Sequence, residues 1–135
     1  MTIAVRAAST TYSRRVAKPW GHEVITTSPD LPYASKLLYV RRGCRLSLQS
    51  HDIKMETLTL VSGLVRITLE IEAGLLDEFE MDLGRGYTVY PGVRHRISAA
   101  MDSVVMEAST PERGTTRRYD DDYGRDDELE EDRGV

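Results

Sequence analysis

The chain is poor in the residues that usually decorate a secreted or membrane protein, with one cysteine, one tryptophan, one phenylalanine and three histidines in 135 residues. A lone Cys44 excludes an internal disulfide framework, and with no histidine beside it in sequence it reads as a small buried or boundary residue, not a nucleophile. No apolar run approaches the roughly 20 residues that a membrane span needs, and the opening MTIAVRAASTTYSRR lacks the apolar segment of a signal peptide. A cytoplasmic protein with no membrane partner is expected. No basic stripe interleaved with aromatics occurs, which argues against a nucleic-acid partner.

Charge is unevenly spread. Residues 119–135 hold nine acidic residues against two arginines, so the rest of the chain carries +3 of a total of −4. Such a run reads as a solvated tail, and residues 126–135 are expected to be disordered. Helical periodicity is almost absent too.

What is present is a β pattern. From Gly21 to Thr110, short runs of Val, Ile, Leu, Thr and Tyr alternate with Gly, Pro, Asp and Ser punctuation. Strands are expected at 22–27, 34–41, 45–51, 56–62, 64–71, 78–83, 87–90, 94–99 and 102–109. The length suits one domain, with an arm at 1–17, a β domain at 18–125 and the acidic tail beyond. Many short strands favour a sandwich or a barrel, and closure removes exposed edges.

Alternation along 45–51 places Arg45, Ser47, Gln49 and His51 on one face and Leu46, Leu48 and Ser50 on the other. Glu56, Leu58 and Leu60 share a face of the next strand. A fold-back around 52–55 then brings Glu56 beside His51 in a hairpin-like unit. A second segment, Gly84-Arg-Gly-Tyr-Thr-Val-Tyr-Pro-Gly-Val-Arg-His95, ends in another histidine just after a Pro-Gly turn. The third, His22, reads as a surface residue.

Both segments resemble the cupin motifs. Gly43, His51, Glu56 and Gly63 fit G-x5-H-x-H-x(3–4)-E-x6-G, with Gln49 where the first histidine usually stands. Gly84, Gly92 and His95 fit G-x5-P-x-G-x2-H-x3-N, with Tyr90 at the proline, Pro91 beside it, and Ala99 at the final asparagine. The resemblance implies an all-β fold, a single cupin jelly-roll β-barrel, with a divalent metal held by Gln49, His51, Glu56 and His95. Two imidazoles, a carboxylate and an amide oxygen suit Zn²⁺, and also accommodate Fe, Mn, Ni or Co.

Within cupins the chain resembles the phosphomannose isomerase group, especially the small domain of its type II enzymes. Lys18-Pro-Trp-Gly21 is similar to R/K-P-W-G, Leu46-Ser-Leu-Gln-Ser-His51 to L-S-L-Q-x-H, and Arg118-Tyr-Asp-Asp-Asp-Tyr-Gly-Arg125 to R-x-E-D-x-Y-G-R. The chain reads His51-Asp-Ile-Lys-Met-Glu-Thr-Leu where the group commonly has H-H-H-R-x-E-H-W. This resemblance implies a metal-dependent aldose–ketose isomerase of the mannose-6-phosphate isomerase type, acting on a phosphosugar through an enediolate. Lys36 and Arg125 match the group's basic positions and are candidates to hold the phosphate, Arg125 by folding back over the pocket. The general base stays open among Tyr90, Lys36 and a water on the metal. Trp20, between Pro19 and Gly21, is expected to pack the arm onto the barrel end.

Other readings stand beside this one: an Fe-dependent oxygenase, or a non-catalytic sugar-binding or regulatory module. Gln49 in place of a histidine argues against the oxygenase, since iron dioxygenases of this fold use histidine-rich coordination. Leu46, Leu48, Thr59 and Val61, opposite the ligand face, leave an outer sheet surface seeking cover, and a homodimer is expected.

Overall fold

The computed structural model describes residues 11–133. Residues 1–10 of the expected arm and 134–135 of the expected tail lie outside the described residues. The fold follows from one repeated pattern, strands whose inward positions are apolar at one end and charged at the other. Strands β3 (Ala34–Val40), β5 (Glu56–Ser62), β9 (His95–Ala99) and β10 (Ser103–Ser109) all show it. Their inward residues run Val40-Leu38-Lys36, Leu60-Leu58-Glu56, Ala99-Ile97-His95 and Val105-Glu107. With a side-chain period of two, such strands build an interior that is dry at one end and polar at the other.

The remaining strands are β1 (Arg14–Lys18), β2 (Gly21–Ile25), β4 (Leu48–His51), β6 (Val65–Glu72), β7 (Leu75–Glu80), β8 (Gly86–Val89) and β11 (Thr116–Asp120). They form two antiparallel sheets, one ordered β1-β2-β3-β10-β5-β8 and the other β11-β4-β9-β6-β7. Between the sheets lie Leu38, Val40, Leu58, Leu60, Val65, Ile67, Ile97 and Val105, with Trp20 closing the cluster. Each such side chain contributes about 1.5–3 kcal/mol by leaving water. The expected all-β barrel is observed, and Trp20, 3% exposed, belongs to its core cluster. Among the described residues no helix is long and apolar enough to cross a membrane.

Gly63 turns β5 into β6 at φ +99°, where a Cβ would strike the Ser103 hydroxyl and come within 2.7 Å of the Asp102 carbonyl oxygen. Only glycine meets both the backbone angle and the close approach. Ser103 uses that space to accept a hydrogen bond from the Leu64 N–H, at 3.0 Å.

Four expectations need correction. Residues 14–17, assigned to the arm, belong to β1, which pairs with β2 from Arg14↔Ile25 to Lys18↔Gly21. The two arginines hide the strand pattern there. The stretch 45–51 is not one continuous strand: Arg45 makes an isolated bridge to Ser98, and β4 starts only at Leu48. The break lets Leu46 turn inward onto the core, so it is not an outer residue. β4 and β5 are not a hairpin either, because β4 lies in the five-stranded sheet and β5 in the six-stranded one. The turn at 52–55 crosses from one sheet to the other.

Finally, the acidic run does not leave the barrel at Arg125. Thr116 and Glu128 exchange backbone hydrogen bonds of 2.8 and 2.9 Å. Arg133 donates to Glu128 at 2.7 Å and to the Gly114 carbonyl at 2.8 Å, while the Arg118 N–H donates to Asp127 at 2.8 Å. A guanidinium and a backbone N–H at fixed positions order acids that composition alone assigns to solvent.

Candidate metal centre

The polar end of the barrel gathers His51 from β4, Glu56 from β5 and His95 from β9. All three are buried, and their donor atoms lie within 4.8 Å of one another. Glu56 Oε1 is 3.3 Å from His51 Nε2 and 2.8 Å from His95 Nε2. Two facing sheets therefore supply the three groups, the carboxylate from one and both imidazoles from the other. The Pro91-Gly92 turn couples the two motifs through the backbone, since the Gly92 N–H donates to the His51 carbonyl at 2.8 Å. Glu70 on β6 steadies the same loop, accepting from the Arg94 guanidinium at 3.2 Å. The Gly74 N–H and Arg94 together hold the Glu70 carboxyl down to about 2.

The hydrogen bonds show what this trio lacks. His95 Nδ1 is 3.0 Å from the Val93 carbonyl oxygen. A carbonyl cannot donate, so the neutral ring carries its proton on Nδ1 and presents a bare lone pair at Nε2. That lone pair faces a carboxylate oxygen 2.8 Å away, and Nε2 is buried without a hydrogen-bond partner. Two acceptors pointed at each other in a dry site call for a positive charge to bridge them, which a proton or a metal ion can supply. His51 is held similarly, its Nδ1 2.9 Å from Thr116 Oγ1. Outer partners of this kind fix the tautomer and aim of metal-binding imidazoles. Burial holds the His51 pKa below the ordinary histidine value, keeping the ring neutral as a ligand must be. The trio fits a divalent metal.

Gln49, the fourth expected ligand, sits opposite His95 in the β4–β9 ladder and borders the same cavity. Its Oε1 accepts from the Ser47 hydroxyl at 2.7 Å, which leaves one lone pair of that oxygen free. Lys36 borders the adjoining chamber lined by Gln49, His51 and Glu107, and so does Arg125, whose guanidinium binds the Asp121 carboxylate at 2.9 and 3.0 Å. Tyr90 does not: it is 61% exposed and borders none of the described cavities. Of the four positions where a histidine or the aromatic of the H-H-H-R-x-E-H-W pattern is replaced, three also point away, namely Asp52, Ile53 and Thr57. Asp52 accepts from the Thr115 N–H, Ile53 is exposed, and Thr57 pairs with Thr88 on the outer face. The fourth, Leu58, lines the interior. His22 stacks on Tyr39 at 4.5 Å.

Sequence reasoning missed two interior residues. Lys54, in the crossing turn, is 4% exposed, with Nζ 3.3 Å from Glu56 Oε2, 2.9 Å from Glu107 and 2.9 Å from Glu112. It holds one Glu56 oxygen while the other faces the imidazoles. Burial alone would lower the Lys54 pKa, but Glu107, Glu56 and Glu112 more than offset that and raise it well above the usual lysine value. Glu107, on β10, lines the cavity beside Gln49 and His95. Burial and the neighbouring Glu56 push its carboxyl up to about 7, so it exchanges a proton near neutral pH. The inward register Val105-Glu107 was the available signal for it.

A two-sheet antiparallel barrel with a His-Glu-His trio at its polar end is a cupin with a candidate divalent-metal site. Residues 6–100 match the family described as mannose-6-phosphate isomerase C-terminal, and the chain belongs to that family. No curated protein matches it. Among solved structures it resembles KdgF from Halomonas sp., with a TM-score of 0.61 at 18% identity, covering 79% of this chain and 92% of that one. CapF from Staphylococcus aureus, a capsular polysaccharide assembling protein, gives a TM-score of 0.66 at 15% identity, with 92% of this chain against 33% of that one. Lactobacillus farciminis oxalate decarboxylase gives 0.63 at 19% identity, with 74% against 31%. This chain thus spans nearly all of KdgF but about a third of the other two. At such identities the likeness is one of fold.

Proposed function

We propose that this protein is a metal-dependent aldose–ketose isomerase acting on a phosphosugar, of the mannose-6-phosphate isomerase type. The observation that carries the reading is the convergence of His51, Glu56 and His95 inside a barrel of that family. His51, Glu56 and His95 would hold the ion, with Gln49 beside them, and zinc suits the donor set best. A bound divalent ion supplies Lewis-acid stabilisation of negative charge developing on adjacent carbonyl and hydroxyl oxygens.

The chain's own residues do the rest. Lys36 presents its ammonium to the anionic end of the substrate. Arg125, anchored by Asp121, borders the cavity opening and shields it from water. Glu107 takes up a proton and returns it, while the apolar wall of Leu38, Leu46 and Leu58 keeps the chamber dry. The unpaired Cys44 agrees with a cytoplasmic setting.

Metal-loaded protein is expected to convert mannose 6-phosphate, or another aldose phosphate in a panel, to its ketose, with solvent deuterium entering at the carbon next to the carbonyl. No turnover anywhere in the panel, with oxygen uptake on another small substrate, overturns the reading.

A homodimer belongs to the same proposal. On the outer face of the six-stranded sheet, Val24, Leu37 and Met106 lie side by side in register, and His22, Tyr39 and Val104 form the next row. None of these six side chains carries a formal charge, Arg15 extending the first row only at the sheet's edge, and an apolar patch of this kind is suited to burial against its own copy. Sedimentation is expected to give twice 15.2 kDa, and a mass near 15.2 kDa at micromolar concentration contradicts it.

A further inference from the structure

Glu112 lies on the segment between β10 and β11 and has no strand to hold it. Its Oε1 is 2.6 Å from Lys36 Nζ and 2.9 Å from Lys54 Nζ, so two ammonium groups converge on one oxygen. Lys36 comes from β3 and Lys54 from the crossing turn, and their side chains are only 12% and 5% exposed. The other carboxylates around these lysines, Glu23, Glu56 and Glu107, sit on β2, β5 and β10 and cannot leave without breaking a sheet. Among these acids Glu112 alone sits outside a strand, with its other oxygen 3.7 Å from the Arg133 guanidinium.

Its position matters because of size. Glu112 borders both an outer groove of about 450 Å³ and an inner chamber of about 60 Å³ next to His51. Small-molecule sites run to about 300–1,000 Å³, so the inner chamber alone is too small for a sugar phosphate and the groove is not. Glu112 shares the boundary between the two with Lys18, Glu23, Lys36 and Glu128.

We propose that Lys36 and Lys54 form a phosphate subsite, occupied in this state by Glu112 as an internal competitor that a phosphomonoester displaces. Glu23, Glu56 and Glu107 stay beside the lysines, so the advantage of a phosphate lies in its several acceptor oxygens, which can meet both ammonium groups where Glu112 offers them one. Displacement swings the 110–115 segment outward and opens the inner chamber to the groove. This rests on the phosphosugar reading for the kind of ligand, but binding alone tests it, so a protein that binds phosphate and turns nothing over loses the isomerase and keeps the subsite.

A competitor that fills the cradle nine-tenths of the time weakens apparent affinity about tenfold. Titration of the full chain with inorganic phosphate is therefore expected to show Glu112→Gln binding about tenfold tighter than wild type, and Lys36→Met not binding at all. Unchanged or weaker binding by a folded Glu112→Gln overturns the proposal. So does equal binding of acetate, which would make the cradle a carboxylate site. Should that variant fail to fold, hydrogen exchange on wild-type protein decides. Saturating phosphate, compared with chloride at equal ionic strength, is expected to speed exchange at the Gly114 and Thr115 amides, now bonded to Glu130 and Asp52. Unaltered protection there sinks the idea.

Discussion

Protein purified without added metal is expected to carry about one divalent ion per chain, and His51→Ala, Glu56→Ala and His95→Ala are each expected to carry none. The size of the effect follows from the site's geometry. Outer partners of a metal site cost about 10–100-fold in affinity when removed, and each of these residues is a direct donor, so its loss exceeds that range. Deleting Glu56 removes the one anionic donor of the trio, and deleting either histidine leaves the buried carboxylate facing a single imidazole. Gln49→Ala separates two arrangements. If the free lone pair on its Oε1 binds the ion, the variant loses metal like the others; if Gln49 only borders the cavity, the loss stays within the outer-partner range. Elemental analysis of the four variants reads this directly, and retention of metal by all of them would remove the basis for a metal site.

The ligand set was legible in sequence because its residues are rare here and their spacing is rigid. Two of three histidines sit in register with a glutamate and with turn glycines, and a strand period of two then dictates which side chains face inward. How the set assembles was not legible. Four residues between β4 and β5 can make either a hairpin or a crossing between sheets, and only packing of the whole barrel decides. Leu46 was misplaced for a similar reason, since a break in a strand resets the alternation and no residue type announces it. β1 was hidden by Arg14 and Arg15, whose charges mask the strand pattern. The acidic run was read from its composition, whereas its order depends on Arg118 of β11 and on its own Arg133 folding back onto Glu128 and Gly114.

Lys54 and Glu107 are the most instructive omissions, because a buried charge looks like a surface charge until the strand register is known. Their interior setting makes the second large prediction possible. Lys54→Met is expected to destabilise the metal-free protein by about 3–5 kcal/mol, the usual cost of removing one partner from a buried ionic cluster. The lysine is 5% exposed at its side chain and faces Glu56, Glu107 and Glu112 at once, so methionine leaves like charges packed together with nothing to balance them. The pH dependence follows from Glu107, whose carboxyl is raised from 4.5 to about 7 by burial and by Glu56. A carboxyl with a raised folded-state pKa keeps its proton in the native protein where the unfolded chain has lost it. Its stabilising share is therefore present at low pH and lost as pH climbs from about 4.5 through about 7. Without Lys54 the ionised form is still less favourable, so the cost of Lys54→Met is expected to be smallest near pH 5 and to grow toward pH 8. Adding Glu107→Gln removes one of the stranded charges and restores part of the loss, a coupling that a double-mutant cycle measures. Urea unfolding of the chelator-treated single and double variants at several pH values gives all of these quantities. A Lys54→Met cost below about 1 kcal/mol, the range of an exposed pair, or one that stays flat across that pH range, would show that Lys54 does not neutralise the interior carboxylates.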